Sequence, residues 1–318
     1  MSDLPLIQAD RAVEPPAATT TTGGRGRRLR LLSRTDRVVI TLMVLVPLLL
    51  VTALVWLPAL ATVLLSGTDW DGIGPLSDID FVGGRNYSDV LTIYPPFMPA
   101  VRHNLLWLAV LFLLATPFGM FLAVLLDKEL RGSRFYQTAL YLPVVLSLAL
   151  IGFVWQLIYS RDQGLLNAVL GTDTDWYGDP SVNIWAVMLA SGWRHVGYIM
   201  LLYLAGLKGV DPSLREAAAV DGASEVKSFF RVVFPVMRPI NIIVLVVTVI
   251  ESLRAFDLVW VVNKGRNGLE LLSALVTQNV VGEASRIGFG SALATIMLVV
   301  SLVFITIYLA TVMRGEDR

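Results

Sequence analysis

Three ionisable residues recur at equal spacing inside a strongly apolar stretch of the chain. Glu251, Arg254 and Asp257 are each three positions from the next, which lets successive side chains meet on one face of a continuous helix. Ionisable groups in such a stretch are costly to place in lipid and usually face a cavity or a partner. Two hypotheses carry equal weight: the three side chains line a path and hydrogen-bond a polar solute such as a sugar, or they neutralise one another against a second protein subunit.

Aromatic residues in two other apolar stretches are further candidates for contact with a solute. Trp155, Trp193 and Tyr198 carry rings that suit the flat faces of sugars, although aromatic residues in apolar helices more often serve packing. His195 follows Trp193 within two positions. It predicts no metal site, because the only other histidine, His103, does not stand at ligand spacing from it.

Several kinds of enzymatic chemistry are excluded by the sequence. The chain has no cysteine, which excludes disulfides, thiolate ligands and a cysteine nucleophile. No glycine is followed by lysine, so no P-loop for nucleotide phosphates is present. Neither a His-Glu-x-x-His zinc motif nor a nucleophile elbow in a soluble domain occurs. We therefore predict no catalytic residue, metal or cofactor on this chain.

Composition indicates an integral membrane protein. Of the 318 residues, 55% are hydrophobic and only 16% are charged, with a mean hydropathy of +0.69, whereas soluble proteins carry about 25% charged residues. Apolar runs of about 20 residues are long enough to cross a bilayer as helices. We predict an all-α fold with six spans, at residues 38–65, 104–126, 136–159, 183–207, 240–262 and 289–313.

The distribution of basic residues predicts the orientation of these spans. The terminal segments and the two loops on their side of the membrane carry 17 Lys and Arg, against 6 in the three loops on the other side. The positive-inside rule then places both termini in the cytoplasm. Residues 1–37 are predicted to be a disordered basic tail, residues 38–313 a transmembrane domain, and residues 314–318 a second cytoplasmic tail. The basic tail is interpreted as a topology signal or lipid contact and not as a nucleic-acid site.

The cytoplasmic loop at residues 208–239 contains the signals of two short helices. Asp211 is a favourable N-cap, and Pro212 suits the first helical position. Gly222 can adopt a left-handed turn that ends this helix. Ser224 then caps a second short helix, which Pro235 ends or kinks.

The same loop resembles the signature of ABC importer permeases: Glu-Ala-Ala, three residues, Gly, nine residues, and then an aliphatic residue, any residue, an aliphatic residue and Pro. This chain departs from the signature at Val232, where Ile is usual, and at Phe234, where Leu is usual, and both changes keep an apolar side chain. The resemblance extends over roughly residues 38–313 and is closest to the maltose-type, carbohydrate-importing branch. It implies a type I ABC importer permease fold in which the first short helix is a coupling helix that docks on an ATPase subunit. The residues identified with this coupling role are Glu216, Ala217, Ala218, Asp221, Gly222, Ala223, Phe234 and Pro235. Glu216 alone could also support only its own helix through pairing one turn away.

The resemblance further implies a multi-pass protein of the bacterial cell membrane that works with several partners. These are a second permease subunit, a dimer of ATPases that bind ATP and Mg²⁺, and an extracellular solute-binding protein. The solute would be a sugar or oligosaccharide. Three alternatives stay open: a glycerol-phosphate-like solute, a secondary transporter driven by an ion gradient, and a membrane anchor without a path.

Overall fold

The computed structural model describes residues 33–75, 77, 79–128, 131–282 and 285–313, with the backbone alone for 309 and 311–313. Most of the predicted N-terminal tail, residues 1–32, and the predicted C-terminal tail, residues 314–318, lie outside this part of the chain. The chain divides into two compact units, one ending at Trp56 and the other beginning at Leu57.

The first unit is a helix whose described residues are all exposed. Helix α1, Arg34–Val51, continues into a π-helical segment, Thr52–Trp56. Ser33 accepts a hydrogen bond from the backbone N–H of Asp36, and the Asp36 carboxylate accepts one from the backbone N–H of Ser33. This capping box starts the helix at Arg34. The helix therefore begins four residues before the predicted start of the first span at residue 38.

The second unit is helical, and among its described residues the only β-bridge joins Thr68 to Phe81. Its first helices are α2 (Leu57–Leu65), α3 (Arg85–Thr92), α4 (Phe97–Val110), a π-helical segment (Leu111–Ala115), α5 (Thr116–Asp127), α6 (Ser133–Val145), α7 (Leu148–Ile158) and α8 (Leu165–Leu170). The following helices are α9 (Asn183–Lys208), α10 (Pro212–Val220), α11 (Glu225–Ser228), a π-helical segment (Phe229–Val233), α12 (Phe234–Val236), α13 (Arg238–Leu253), α14 (Asp257–Asn263), α15 (Leu272–Val280) and α16 (Ile287–Met313).

Three helical runs are long and apolar enough to cross a membrane: Arg34–Leu65, Phe97–Asp127 and Ile287–Tyr308. Two bent pairs meet the same test only when each is taken as one span, so the described residues contain three candidate spans, or up to five. Helix α9 has the length of a span, with 26 residues, but does not meet the test of apolarity. Thirteen of its residues are buried, and a helix enclosed by protein can carry polar side chains such as Arg194 and His195.

The predicted third span, residues 136–159, is not one straight helix. Helices α6 and α7 meet at an angle of 104°, because Leu146 is extended and Ser147 starts a new helix. The Ser147 hydroxyl accepts a hydrogen bond from the backbone N–H of Leu150 at 3.2 Å. Serine favours such a cap over a helix interior, so the break has a local cause in the sequence.

The predicted fifth span, residues 240–262, is also interrupted, between Leu253 and Asp257. The break frees backbone carbonyls that a continuous helix would satisfy. The Asn104 amide donates to the carbonyl of Ser252 at 3.0 Å, and the Ser273 hydroxyl donates to the carbonyl of Ala255. The interruption is therefore stabilised by residues from α4 and α15.

Each of the three described π-helical segments ends two positions before a proline. Segment Thr52–Trp56 precedes Pro58, segment Leu111–Ala115 precedes Pro117, and segment Phe229–Val233 precedes Pro235. Proline cannot donate to the carbonyl four residues earlier, and its ring presses on that carbonyl. A local widening of the helix accommodates both effects.

Helices α5 and α9 pack closely along their length. A Cβ at Gly119 would stand 2.9 Å from the Cβ of Ile199, so only glycine allows the two helices to approach this far. Their buried contact includes Ala123, Leu126, Ile199, Met200, Tyr203 and Leu207.

Candidate functional site

The loop at residues 208–239 contains the two predicted short helices. The Asp211 carboxylate accepts a hydrogen bond from the backbone N–H of Ser213 at 2.9 Å and so caps α10. This bond also lowers the pKa of Asp211. Ser224 caps α11 by accepting from the backbone N–H of Lys227. The predicted capping pattern is confirmed at both helices.

Helix α10 ends in a Schellman motif. Gly222 has a left-handed backbone, with φ at +77°. Its N–H donates to the carbonyl of Ala219, and the N–H of Ala223 donates to the carbonyl of Ala218, both at 3.0 Å. These two bonds satisfy carbonyls that the helix end leaves free, and they account for the glycine at this position.

The outward surface of α10 is small, apolar and acidic. Ala217, Val220 and Asp221 are exposed, and so is Glu216, which makes no ion pair with any described residue. Ala218 faces inward and is buried, and Ala223 is half-buried. Small side chains allow a partner backbone to approach closely, so this surface is suited to docking.

Three phenylalanines follow α10 in a compact cluster. Rings of Phe229 and Phe230 lie 5.1 Å apart, and both lie within 6.2 Å of the Phe234 ring. Phe230 is 55% exposed, whereas Phe229 and Phe234 pack against the core. Pro235 is exposed at the start of α12, and the bend that follows it to α13 is 80°.

Two cavities lie beside the break between α13 and α14. The larger, of about 210 Å³, is lined by Arg194, His195, Tyr198, Val247, Ile250 and Glu251. The smaller, of about 80 Å³, has Trp107, Ser191, Arg194, Glu251, Arg254 and Asp257 among its lining residues.

Arg194 and Glu251 line both cavities and form an ion pair. The Arg194 Nη1 atom lies 3.6 Å from the Glu251 Oε2 atom. With Arg254 and Asp257 nearby, two cations and two carboxylates surround the smaller cavity, and their formal charges balance. This balance favours a neutral, hydrogen-bonding occupant over a strongly charged one.

The predicted ladder of Glu251, Arg254 and Asp257 on one helix face was wrong. Arg254 follows the last residue of α13, and Asp257 is the first residue of α14, so the three do not share a continuous helix. Glu251 instead pairs with Arg194 of α9. The break nevertheless brings all three to the smaller cavity.

The candidate aromatic residues fall into two places. Tyr198 lines the larger cavity. Trp155 and Trp193 contact each other edge to face, with ring centroids 5.8 Å apart. Trp155 also packs against the buried core that contains Trp107, and neither Trp155 nor Trp193 is among the residues that line the two cavities.

Two unpartnered hydrogen-bond donors belong to residues that line the cavities and that were not predicted as site residues. The indole N–H of Trp107 and the Nε–H of Arg194 are buried without a protein partner among the described residues, and the indole N–H of the predicted candidate Trp155 is also unpartnered. Trp107 is only 2% exposed and lines the smaller cavity. A buried donor without a partner is costly, so these groups favour a ligand or water with acceptor oxygens.

A buried polar cluster beside the larger cavity was also missed. Thr116 of α5, His195 of α9 and Thr248 of α13 lie within 3.4 Å of one another through their Oγ1 and Nε2 atoms. The Thr248 hydroxyl donates to the carbonyl of Val244, so it accepts from its other neighbours. This assigns a proton to Nε2 of His195 and fixes the ring next to Arg194.

Comparison with known proteins gives a matching family and similar permease proteins. The family model for "Binding-protein-dependent transport system inner membrane component" matches residues 115–314. The xylose/arabinose import permease protein XacH of Haloferax volcanii is 32% identical over 252 residues, which are 77% of this chain and 78% of that protein. The arabinooligosaccharides transport system permease protein AraP of Halalkalibacterium halodurans is 32% identical over 259 residues, covering 76% and 79% of the two chains.

A solved structure shares the fold. A chain of a bacterial ABC transporter involved in the import of the acidic polysaccharide alginate superposes with a TM-score of 0.76. It is 17% identical, and the alignment covers 88% of this chain and 96% of that chain. The chain described here therefore belongs to the family of binding-protein-dependent transport system inner membrane components, the ABC importer permeases that the spacing from Glu216 to Pro235 predicted.

Proposed function

We propose that this chain forms half of the translocation path of an ATP-driven importer for a neutral sugar or oligosaccharide. The observation that carries the proposal is the pair of cavities at the break between α13 and α14. They combine balanced charges, the aromatic ring of Tyr198 and the unpartnered N–H of Trp107. Hydroxyl-rich, uncharged solutes fit this chemistry, and two relatives carry names that refer to pentoses or their oligomers.

The path would be completed by a second permease subunit. The larger cavity, of about 210 Å³, is smaller than the roughly 300–1,000 Å³ of typical ligand sites. A cavity of this size on one chain is too small to enclose an oligosaccharide by itself. Facing residues from a second subunit would supply the rest.

In this assembly the membrane arrangement has six spans, with α9 as a protein-enclosed span in addition to the five apolar candidates. Both termini would lie in the cytoplasm, because basic residues concentrate on that side. The transmembrane domain would occupy residues 38–313, with a basic cytoplasmic tail, residues 1–37, before it and a short cytoplasmic tail, residues 314–318, after it.

ATP binding and hydrolysis, with Mg²⁺, would take place on a separate ATPase dimer. The exposed surface of α10, with Glu216, Ala217 and Asp221, would dock on it, and the turn from Gly222 to Ala223 would hold that surface in place. Phe234 would anchor the docking loop to the core, and the exposed Pro235 would lie just before the bend that leads to α13. An extracellular binding protein would deliver the solute to the opposite side of the membrane.

The test is uptake by the purified complex in liposomes, with radiolabelled xylose, arabinose, arabino-oligosaccharides and maltose as probes. We expect ATP-dependent uptake of at least one probe, unchanged by ionophores that dissipate ion gradients. Asp257→Ala should lower uptake while the complex still assembles. Uptake without ATP that ionophores abolish would instead show a secondary transporter. ATP-driven uptake of glycerol phosphate and of none of the sugars would show that the solute class is wrong.

A further inference from the structure

The cytoplasmic end of α5 contacts three other elements through two adjacent residues of opposite charge. The Asp127 carboxylate accepts a hydrogen bond from Nη1 of Arg215 on α10 at 2.7 Å. Its second oxygen lies 3.4 Å from Nζ of Lys208, the last residue of α9. Lys128 pairs with Glu225 at the start of α11. One helix end therefore contacts α9, α10 and α11 together.

The two sets of ion pairs differ in burial. The Asp127 side chain is only 9% exposed, whereas Lys128 and Glu225 are 49% and 83% exposed. Exposed pairs contribute little to stability, but an enclosed carboxylate that loses its cation is strongly unfavourable. Arg215 also donates to the carbonyl of Leu207 on α9 at 3.3 Å. Asp127 is thus the fixed point that sets the position of α10 against α5 and α9.

The same two helices lead from Asp127 to the cavities. At the far end of α5, Thr116 contacts His195 of α9, next to Arg194 in the cavity wall. Fourteen residues separate Lys208 from Arg194 on one helix, which is about 21 Å along its axis. Because α5 and α9 pack closely around Gly119, displacement of their cytoplasmic ends moves the pair as a unit.

We propose that Asp127 is a positioning residue that transmits movement of α10 to the cavity wall through the α5–α9 pair. The inference rests on the proposed function, because α10 moves only if an ATPase displaces it. The binding of ATP by the ATPase can shift the cavity from one conformation to another only if movement of α10 also moves the cavity wall. Without the carboxylate, α10 follows the ATPase while α5 and α9 stay behind.

The test measures uptake and ATP hydrolysis on the same liposomes, containing the complete complex, and uses their ratio as the readout. We expect Asp127→Asn to lower the solute moved per ATP by at least about fivefold, the lower end of common coupling factors. Asp127→Glu should recover most of the ratio, since it restores the charge. Glu225→Gln, which breaks the exposed pair beside it, should leave the ratio at its wild-type value.

The ratio of solute moved to ATP hydrolysed distinguishes a loss of coupling from a loss of stability. A variant that only destabilises the complex lowers uptake and hydrolysis in proportion, so an unchanged ratio in Asp127→Asn overturns the proposal. Arg215→Gln removes the ion pair with Asp127 by changing its more exposed partner. If the complex with Asp127→Asn does not assemble, the ratio measured for Arg215→Gln tests the proposal in its place. An equal loss in Glu225→Gln also overturns it. If the wild type shows ATP-driven uptake and the variants keep its ratio of solute moved to ATP hydrolysed, this proposal alone is refuted. If the wild type shows no ATP-driven uptake, the proposed function is refuted as well.

Discussion

Replacement of Gly222 by phenylalanine should separate the docking surface from the stability of the chain. Gly222 ends α10 with φ at +77°, and a Cβ placed there meets no atom within 4 Å. A Cβ at this position therefore meets no steric clash within the chain. The substitution should lower the free energy of unfolding by about 1–2 kcal/mol, because a residue with a Cβ is strained in the left-handed backbone conformation. A bulky side chain projects into open space, where we expect the ATPase to dock.

Gly171 offers a matched control, which the proposed membrane arrangement places on the side opposite to α10. It ends α8 with φ at +66°, and its Cβ position is also open. Gly171→Phe should therefore lower stability by a similar 1–2 kcal/mol without touching α10. A difference between the two variants in ATPase association or stimulation is then caused by the altered surface at Gly222 and not by backbone strain.

The assay is co-purification of the ATPase from detergent-solubilised membranes, together with stimulated hydrolysis and thermal unfolding of each variant. We expect Gly222→Phe to lose the ATPase or its stimulation, while Gly171→Phe keeps both at equal thermal stability. Equal effects of the two substitutions would refute the reasoning. So would full ATPase association and stimulation in Gly222→Phe.

Three further predictions follow from the site. Asn104→Leu should destabilise the complex in thermal unfolding, because two buried backbone groups lose their partners at about 1–3 kcal/mol each; unchanged unfolding would contradict the role of Asn104 at the helix break. Glu251→Gln should weaken the ion pair with Arg194 and reduce uptake at unchanged assembly, and uptake at the wild-type rate would remove the pair from the path. The capping bond lowers the pKa of Asp211 below its ordinary 3.8, so α10 should be protected above that pH and lose protection as pH falls through the lowered pKa. Amide hydrogen exchange checks this, and Asp211→Asn, which does not titrate, should show no such pH dependence.

The docking loop could be predicted from the sequence because its signals are local. Asp211, Gly222 and Ser224 each make a hydrogen bond that satisfies a helix end within a few residues of themselves. Pro212 at the first helical position leaves one fewer donor without a partner, so the roles of these residues depend little on the rest of the fold. The family spacing lies on the same residues. Local capping chemistry and the motif therefore agree with the structure.

The cavities could not be predicted in the same way. The break after α13 depends on Asn104 and Ser273, which lie 148 and 18 positions from the carbonyls they bind. A spacing of three residues predicts a shared face only while the helix continues, and the helix ends between Glu251 and Arg254. The cluster of Thr116, His195 and Thr248 likewise joins residues up to 132 positions apart.

Site-specific cross-linking from position 216 tests the central claim most directly. Because the chain has no cysteine, Glu216→Cys introduces a single attachment point for a photoreactive group. Gly171→Cys provides the matching point on the side that the proposed arrangement places opposite to α10. The account predicts that position 216 cross-links to a P-loop ATPase, with a yield that changes on ATP addition, and that position 171 does not. Absence of an ATPase adduct from position 216 in a complex that transports solute would contradict the account.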